Sequence, residues 1–279
     1  MKLDLNAAWD QAVRLIAANR EVLLVLGGVF FFLPYVLFTL LVPVPDFAGV
    51  AGPSGENRAA LEAAINGFLV EYWWALLLLA LIISAGAIAV MAVIGDPSRP
   101  TVGTAMKRGA AFLPTSLGAQ ILSSLATSLV LAVATFLGLL TGSEAVAAAL
   151  SIFALPVIVW LMTRWSLSGP VIAIERTANP IAALRRSWRL TAGNGLRLIA
   201  FYVLLFAAFF VISQVLGLII GLVTALLEAE MARVLGALLS GLLMTALILV
   251  GYAVIASIHR QFARAERTRV QDSGAPDAA

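Results

Sequence analysis

The chain of 279 residues has no cysteine, a single histidine (His259) and few charged residues, and these shortages exclude several kinds of chemistry. Without cysteine there is no disulfide framework and no thiolate metal site. One histidine, and no carboxylate deep inside an apolar segment, leave no evident nucleophile, metal site or general base. We therefore expect a protein that is not an enzyme and that uses no cofactor.

Charged residues make up 12% of the sequence and hydrophobic residues 62%, whereas soluble domains are about one-quarter charged and one-half apolar. A helix needs about 20 apolar residues to cross a bilayer. Lipid offers the backbone no hydrogen-bond partner, so apolar runs of this length must be helices. We predict an all-α polytopic membrane protein with six transmembrane helices, at residues 22–41, 68–94, 112–140, 145–162, 198–227 and 234–258.

Basic residues fall almost entirely on one side of these six spans. Alternate connections belong to opposite faces of a bilayer, and one face receives 16 of the 18 lysines and arginines, with 8 acidic residues. The other face receives only Arg58 and Arg233, with 7 acidic residues. Because lysine and arginine concentrate in cytoplasmic loops, we predict that both termini lie in the cytoplasm. Arginine outnumbers lysine 16 to 2, which indicates a GC-rich bacterial genome, and we therefore expect a bacterial inner-membrane protein. This topology explains the net charge of +3 without a nucleic-acid partner.

Amphipathic segments precede three of the spans on the inner side and are predicted to lie along the membrane surface. They cover about residues 5–16, 101–112 and 180–191. In the third segment, Asn179 is the expected N-cap and Pro180 the first helical residue. The segments align with one another through small and basic residues: Ala8, Ala12, Arg14 and Leu15; Ala105, Lys107, Arg108 and Gly109; Ala183, Arg185, Arg186, Ser187, Arg189 and Leu190.

This alignment predicts an internal threefold repeat, in which each unit contains an interfacial helix, an outward span and an inward span. The units cover residues 1–95, 96–168 and 169–258 of a six-span domain, 1–258. A charged, partly disordered cytoplasmic tail follows at 259–279. The alternative is chance similarity among amphipathic lead-in segments.

The polar residues inside the spans are uncharged. Gln120, Ser124 and Thr127 form a stripe on the third span, and Gln214 lies on the fifth. Hydrogen bonds between helices explain such a stripe. The alternative is a polar groove for a lipid headgroup or a small solute.

Two further features of the spans concern packing and depth. Gly217 and Gly221 have the spacing that lets helices approach closely. Tyr72, Trp73 and Trp74 stand at the outer end of the second span, where aromatic residues anchor a helix at the membrane interface.

The densest polar feature is the inner segment between the fourth and fifth spans. Glu175 stands among several arginines, and we predict an ion pair with Arg186 that fixes the interfacial helix to the end of the fourth span. The alternative is that Arg185, Arg186 and Arg189 grip a lipid phosphate, because the guanidinium group presents a planar fork to phosphate oxygens.

Several inner segments resemble a bacterial six-span family named for the glycerophosphoryl diester phosphodiesterase membrane domain. The segments are Arg164-Trp165-Ser166, Glu175, the run from Ala182 to Thr191, Gly193-Asn194, Ala8-Trp9-Asp10-Gln11-Ala12 and Pro34-Tyr35. The resemblance implies a six-span membrane fold. Some family members are fused to a catalytic domain that uses paired histidines and metal-binding carboxylates. One histidine cannot supply that set, so the family's name does not imply an activity for this chain.

The sequence thus favours a non-catalytic membrane protein that interacts with lipid or has an accessory role in membrane homeostasis. The expected partners are anionic headgroups on the cytoplasmic side, and a second membrane protein is a further candidate. The alternative function is a transporter or permease for a small or amphiphilic solute.

Overall fold

The computed structural model describes residues 4–51, 57–95 and 101–272, and these residues form helices without a strand. A π-helical turn, Gly28–Phe32, joins α2 to α3. The helices are α1 (Leu5–Ala18), α2 (Arg20–Gly27), α3 (Leu33–Leu41), α4 (Phe47–Ala51), α5 (Arg58–Gly95), α6 (Val102–Leu139), α7 (Glu144–Trp165), α8 (Ser168–Ile174), α9 (Pro180–Leu190), α10 (Gly195–Thr224) and α11 (Ala229–Asp272).

Within the described residues, six helical segments are long and apolar enough to cross a membrane. Each coincides with a predicted span, so the predicted all-α fold with six membrane-length helices is confirmed. The segments are Arg20–Leu41, Arg58–Gly95, Val102–Leu139, Ala145–Ile174, Gly195–Thr224 and Ala229–Thr268. The last helix continues through most of the predicted tail, and residues 273–279 lie outside the described residues.

The segment before the third span is not a separate helix, which corrects the expectation of three independent interfacial helices. The α6 helix runs without a break from Val102 to Leu139, with Pro114 inside it. By contrast, α9 is followed by Gly193 at a φ of +77°, a left-handed conformation that ends a helix and turns the chain. No residue of α6 adopts such a φ, so its lead-in continues directly into the span.

The second membrane-length helix is bent in its first half. Tyr72, with φ −112° and ψ 15°, interrupts the helical geometry of α5. The adjacent Trp73 and Trp74 are 60% and 56% exposed. This exposure fits aromatic anchors at a membrane interface.

The buried core lies at one end of the bundle, which we call the terminal end. It contains α1, the start of α2, the end of α5, the start of α6, the end of α7, α8, α9 and the segment between them, the start of α10, and α11 from Ala253 onward. The backbone N–H of Asp4 donates to Gln261 Oε1 at 3.2 Å, so the start of α1 lies against the end of α11. Large side chains that are fully buried gather there: Ile88, Ile94, Leu167, Ile172, Leu198 and Ile258.

Small residues let the helices of the terminal end approach closely. Each lead-in segment buries two of them, four positions apart: Ala8 and Ala12, Ala105 and Gly109, Ala183 and Ser187. These positions correspond in the sequence alignment of the three segments. The burial is what a threefold repeat would produce, and the repeat itself stays a prediction.

Each lead-in segment also packs on the inward span that precedes it around the bundle. Ser257 Oγ of α11 donates to the Ala8 carbonyl of α1 at 2.8 Å. A Cβ atom at Gly109 of α6 would lie 2.6 Å from the Ala85 carbonyl oxygen of α5. Ser187 Oγ of α9 donates to the Arg164 carbonyl of α7 at 2.7 Å. These three contacts place the lead-in segments of α1, α6 and α9 in one layer at the terminal end.

Candidate functional site: a basic cavity at the terminal end

The α9 helix begins as its sequence predicts. Asn179 Oδ1 accepts hydrogen bonds from the backbone N–H groups of Ile181 and Ala182, and Pro180 occupies the first turn. The buried face of α9 carries its small residues against α7. Arg185 and Arg189 are exposed, and neither side chain forms a hydrogen bond or ion pair within the described residues.

Arg186 is the centre of an ion-pair network. Its Nε donates to Glu175 Oε2 at 3.0 Å, which is the predicted pair. Its two terminal nitrogens contact both oxygens of Glu266 at 2.8 and 2.6 Å, a bidentate arrangement. His259 Nε2 lies 2.9 Å from Glu175 Oε1. The network joins α8, α9 and α11, one helix more than the sequence predicted.

The network shifts the pKa of its two central groups in ways that preserve their charges. Burial raises the pKa of Glu175. The hydrogen bonds and the charges of His259 and Arg186 lower this pKa by a larger amount, so the pKa is below its ordinary value. The hydrogen bond to Glu266 raises the pKa of Arg186 against the opposing effect of burial. Both groups therefore remain charged at neutral pH.

The three arginines that the sequence predicted as phosphate ligands differ in their contacts. Arg186 is engaged by two carboxylates, so a phosphate would have to displace one of them. Arg185 and Arg189 remain on the exposed face of α9, away from the residues that line the cavity described next.

A cavity of about 930 Å³ lies beside the network. This volume is within the range of small-ligand sites. Its described lining includes six arginines, two glutamates and one histidine: Arg108, Arg176, Arg186, Arg260, Arg264, Arg267, Glu175, Glu266 and His259. Apolar residues from α1, α5 and α8 complete the wall. Arg264 and Arg267 are exposed, so the cavity is open to the outside.

Three of these arginines stand on one face of α11. Arg260, Arg264 and Arg267 are spaced at i, i+4 and i+7, which aligns them along the helix. Arg260 Nη2 donates to the carbonyl oxygens of Ile94 and Gly95 at 2.8 and 3.0 Å and so caps the end of α5. The helical spacing was visible in the sequence, but only the packing of α11 against α5 and α8 reveals that this row faces a cavity.

Arg176 adopts a left-handed backbone conformation beside the same cavity. Its φ of +55° is the only positive value at a non-glycine residue in the described chain. The position follows the C-cap of α8, where glycine is the least strained choice. Strained backbone of this kind clusters at ligand sites, and here it places a guanidinium group in the cavity lining.

The residues of the predicted polar stripe do not all lie close to one another. Gln120 Nε2 donates to Ser84 Oγ of α5 at 3.1 Å, a hydrogen bond between helices. Thr127 Oγ1 donates to the carbonyl oxygens of Ser123 and Ser124 within α6. Gln214 is exposed on α10, which has no extensive contact with α6, and its side chain forms no hydrogen bond within the described part of the chain.

The glycine pair on the fifth span does not mediate packing within this chain. A Cβ atom at Gly217 or Gly221 would meet no atom within 4 Å. Their spacing reflects the glycine content of an apolar helix, whereas Gly109 is the glycine that sits against backbone.

Six membrane-length helices and a basic layer at one end fit a multi-pass integral membrane protein. The chain matches no protein-family model, no curated protein and no solved structure. The resemblance to the phosphodiesterase membrane-domain family therefore stays a prediction. Within the residues that the structure describes, no group of three or more histidine or acidic side chains is placed to hold a metal ion.

Proposed function

We propose that this protein is a non-catalytic inner-membrane protein that binds anionic lipid headgroups at the cytoplasmic surface. The terminal end is then the cytoplasmic end. The observation that carries the proposal is the one-sided charge: among the described residues, every lysine and arginine except Arg58 and Arg233 belongs to the terminal end. Basic residues near an anionic membrane surface contribute about 1 kcal/mol each.

The exposed face of α9 supports this function in particular. Its opposite face is buried against the bundle through Ala183, Leu184, Ser187 and Leu190, and Arg185 and Arg189 remain exposed. Neither has a carboxylate partner within the described residues, so both are available to phosphate oxygens. Arg164 lies between Trp160 and Trp188, with its guanidinium carbon 5.6 and 4.6 Å from their ring centroids, and this stack holds α9 against α7.

Lipid retention in native mass spectrometry tests the proposal. The purified protein is exchanged with equal amounts of phosphatidylglycerol and phosphatidylcholine, and the bound lipids are counted. Wild type is expected to retain phosphatidylglycerol preferentially. The double variant Arg185→Gln, Arg189→Gln should lose about fivefold in this preference for each arginine.

The matched control removes the same number of charges from the opposite end, with Arg58→Gln and Arg233→Gln. It should retain phosphatidylglycerol as wild type does. A wild type without preference, or equal losses in both double variants, would contradict binding at the terminal end.

A transporter for a small amphiphilic solute is the second candidate, and Gln120 is the observation in its favour. This residue is exposed near mid-span on α6 and is tied to Ser84 and Ser116. Under this proposal Gln120→Leu abolishes solute uptake in proteoliposomes while the folded protein persists. Unchanged uptake in that variant would remove the support.

A further inference from the structure

The cavity offers more positive charge than a single phosphodiester headgroup needs. Arg264 and Arg267 form no side-chain hydrogen bond or ion pair within the described residues, and Arg260 contacts only backbone carbonyls. Like charges at i and i+4 on a helix repel one another. Among the residues that the structure describes, this row of arginines beside a cavity therefore has no carboxylate partner, and bound anions would remove the repulsion.

The length of the row indicates how many anionic groups it can hold. From Arg260 to Arg267 the helix rises about 10 Å, at about 1.5 Å per residue. Each guanidinium group has five N–H donors in a fork that matches phosphate oxygens. Arg260 commits one nitrogen to the end of α5, which fixes its position and leaves further donors for a ligand. Three arginines over this length can engage two neighbouring phosphate groups.

The walls of the cavity divide it into a charged side and an apolar side. Leu15, Ile94 and Ile174 line it together with the arginines. The neighbouring network holds Arg186 with Glu175 and Glu266, so both nearby carboxylates already have a cationic partner. Basic pockets between transmembrane helices on the cytoplasmic side are typical sites for headgroups that carry more than one phosphate.

We infer that this cavity binds a ligand with two phosphate groups joined by a short linker, held by the row Arg260, Arg264 and Arg267. The inference rests on the proposed lipid function and names its ligand class. The same chemistry occurs in a membrane lipid with a two-phosphate headgroup and in a soluble diphosphate.

Two pairs of probes test the preference for two phosphates. In detergent, calorimetry compares inorganic pyrophosphate with inorganic phosphate. In nanodiscs, retention of cardiolipin is compared with retention of phosphatidylglycerol at twice the mole fraction, so that the phosphate content is equal. Wild type should bind a two-phosphate probe about tenfold more tightly than its one-phosphate counterpart.

The variant Arg264→Gln, Arg267→Gln should lose this preference, whereas Arg58→Gln, Arg233→Gln removes equal charge at the opposite end of the bundle and should keep it. All four substitutions are at exposed residues, so the thermal unfolding temperature serves as the check that each variant folds. Preference for cardiolipin alone identifies a lipid headgroup, and preference for pyrophosphate alone identifies a soluble ligand.

The inference is overturned if neither two-phosphate probe is preferred, or if the cavity variant keeps the preference. In that case continued retention of phosphatidylglycerol over phosphatidylcholine would leave the general lipid function standing. Loss of all anionic retention in wild type would remove both.

Discussion

The terminal end and the opposite part of the bundle are held together in different ways. The α5 helix runs into the terminal end, and 50% of the residues in its most apolar 18-residue stretch are buried. In the corresponding stretch of α10, no residue is buried. The terminal end combines close helix contacts, an ion-pair network and caps between helices. The remainder of α10 exposes leucine, isoleucine and phenylalanine, which lipid tails can cover as well as a protein core can.

This difference shows where the sequence specifies the fold most strictly. A lipid-facing position needs only an apolar side chain, so many residues satisfy it. A position in the terminal layer needs a particular size or a particular hydrogen-bonding group, because backbone and charged groups lie within contact distance. The same substitution should therefore change the stability of the protein more in the terminal end than at a lipid-facing position.

The largest expected difference concerns two leucines of the same helix. Leu198 is fully buried at the start of α10, and Leu218 is 66% exposed in its apolar part. Leu198→Ala should lower the free energy of unfolding by about 2–5 kcal/mol, because it leaves a cavity in packed protein. Leu218→Ala should change it by less than about 0.5 kcal/mol. Denaturant unfolding in detergent micelles measures both, and equal losses would refute the contrast.

A pair of glycines sharpens the comparison at a smaller scale. A methyl group at Gly109 would meet the Ala85 carbonyl oxygen, which cannot move without separating α5 from α6. Gly109→Ala should cost about 1–3 kcal/mol by overpacking. Gly217→Ala adds the same methyl group where no atom lies within 4 Å, so it should be neutral or slightly stabilising. The two thermal unfolding temperatures should move apart, and a stable Gly109→Ala protein would argue against this helix contact.

The smallest expected effect is the pH dependence of the ion-pair network. The pKa of Glu175 is lowered below its ordinary value of 4.5 by His259 and Arg186, so its stabilising contribution is present above that value. The contribution is lost as the pH falls through the lowered pKa of the folded state. Glu175→Gln should therefore cost about 1 kcal/mol at pH 7 and nearly nothing at a pH below that lowered pKa.

Glu62→Gln is the matched control for this substitution. Glu62 pairs with Arg58 on an exposed helix face at the opposite end of the bundle, with side chains 58% and 86% exposed. Exposed pairs of this kind contribute less than about 1 kcal/mol, so the control should be close to neutral at both pH values. A pH-independent loss in Glu175→Gln would mean that its role is packing rather than charge.

Much of the fold follows from local pattern, and the errors have local causes too. The spans were predictable because about 20 apolar residues have few alternatives to a membrane-length helix. The start of α9 followed from Asn179 and Pro180, whose preferences operate within one turn. The prediction of a separate helix before the third span was wrong. Gly109 and Pro114 are compatible with a continuous helix, and no described residue nearby reverses the chain.

The site was less accessible to sequence reasoning. Glu175 and Arg186 lie 11 residues apart, close enough for their pairing to be predicted. Glu266 joins the same arginine across 80 residues, and that contact depends on the position of α11. Arg185 and Arg189 look like Arg264 and Arg267 in the sequence, and only burial and neighbours place the second pair at a cavity.

The sequence alone determined six apolar helices and a basic surface at one end, because hydrophobic length and charge are properties of segments. The tertiary structure decided which small residues touch, which carboxylates neutralise Arg186 and which arginines of α11 remain available. Those outcomes depend on distances of a few ångströms between segments that are far apart in the chain, and such distances are set only when the helices pack.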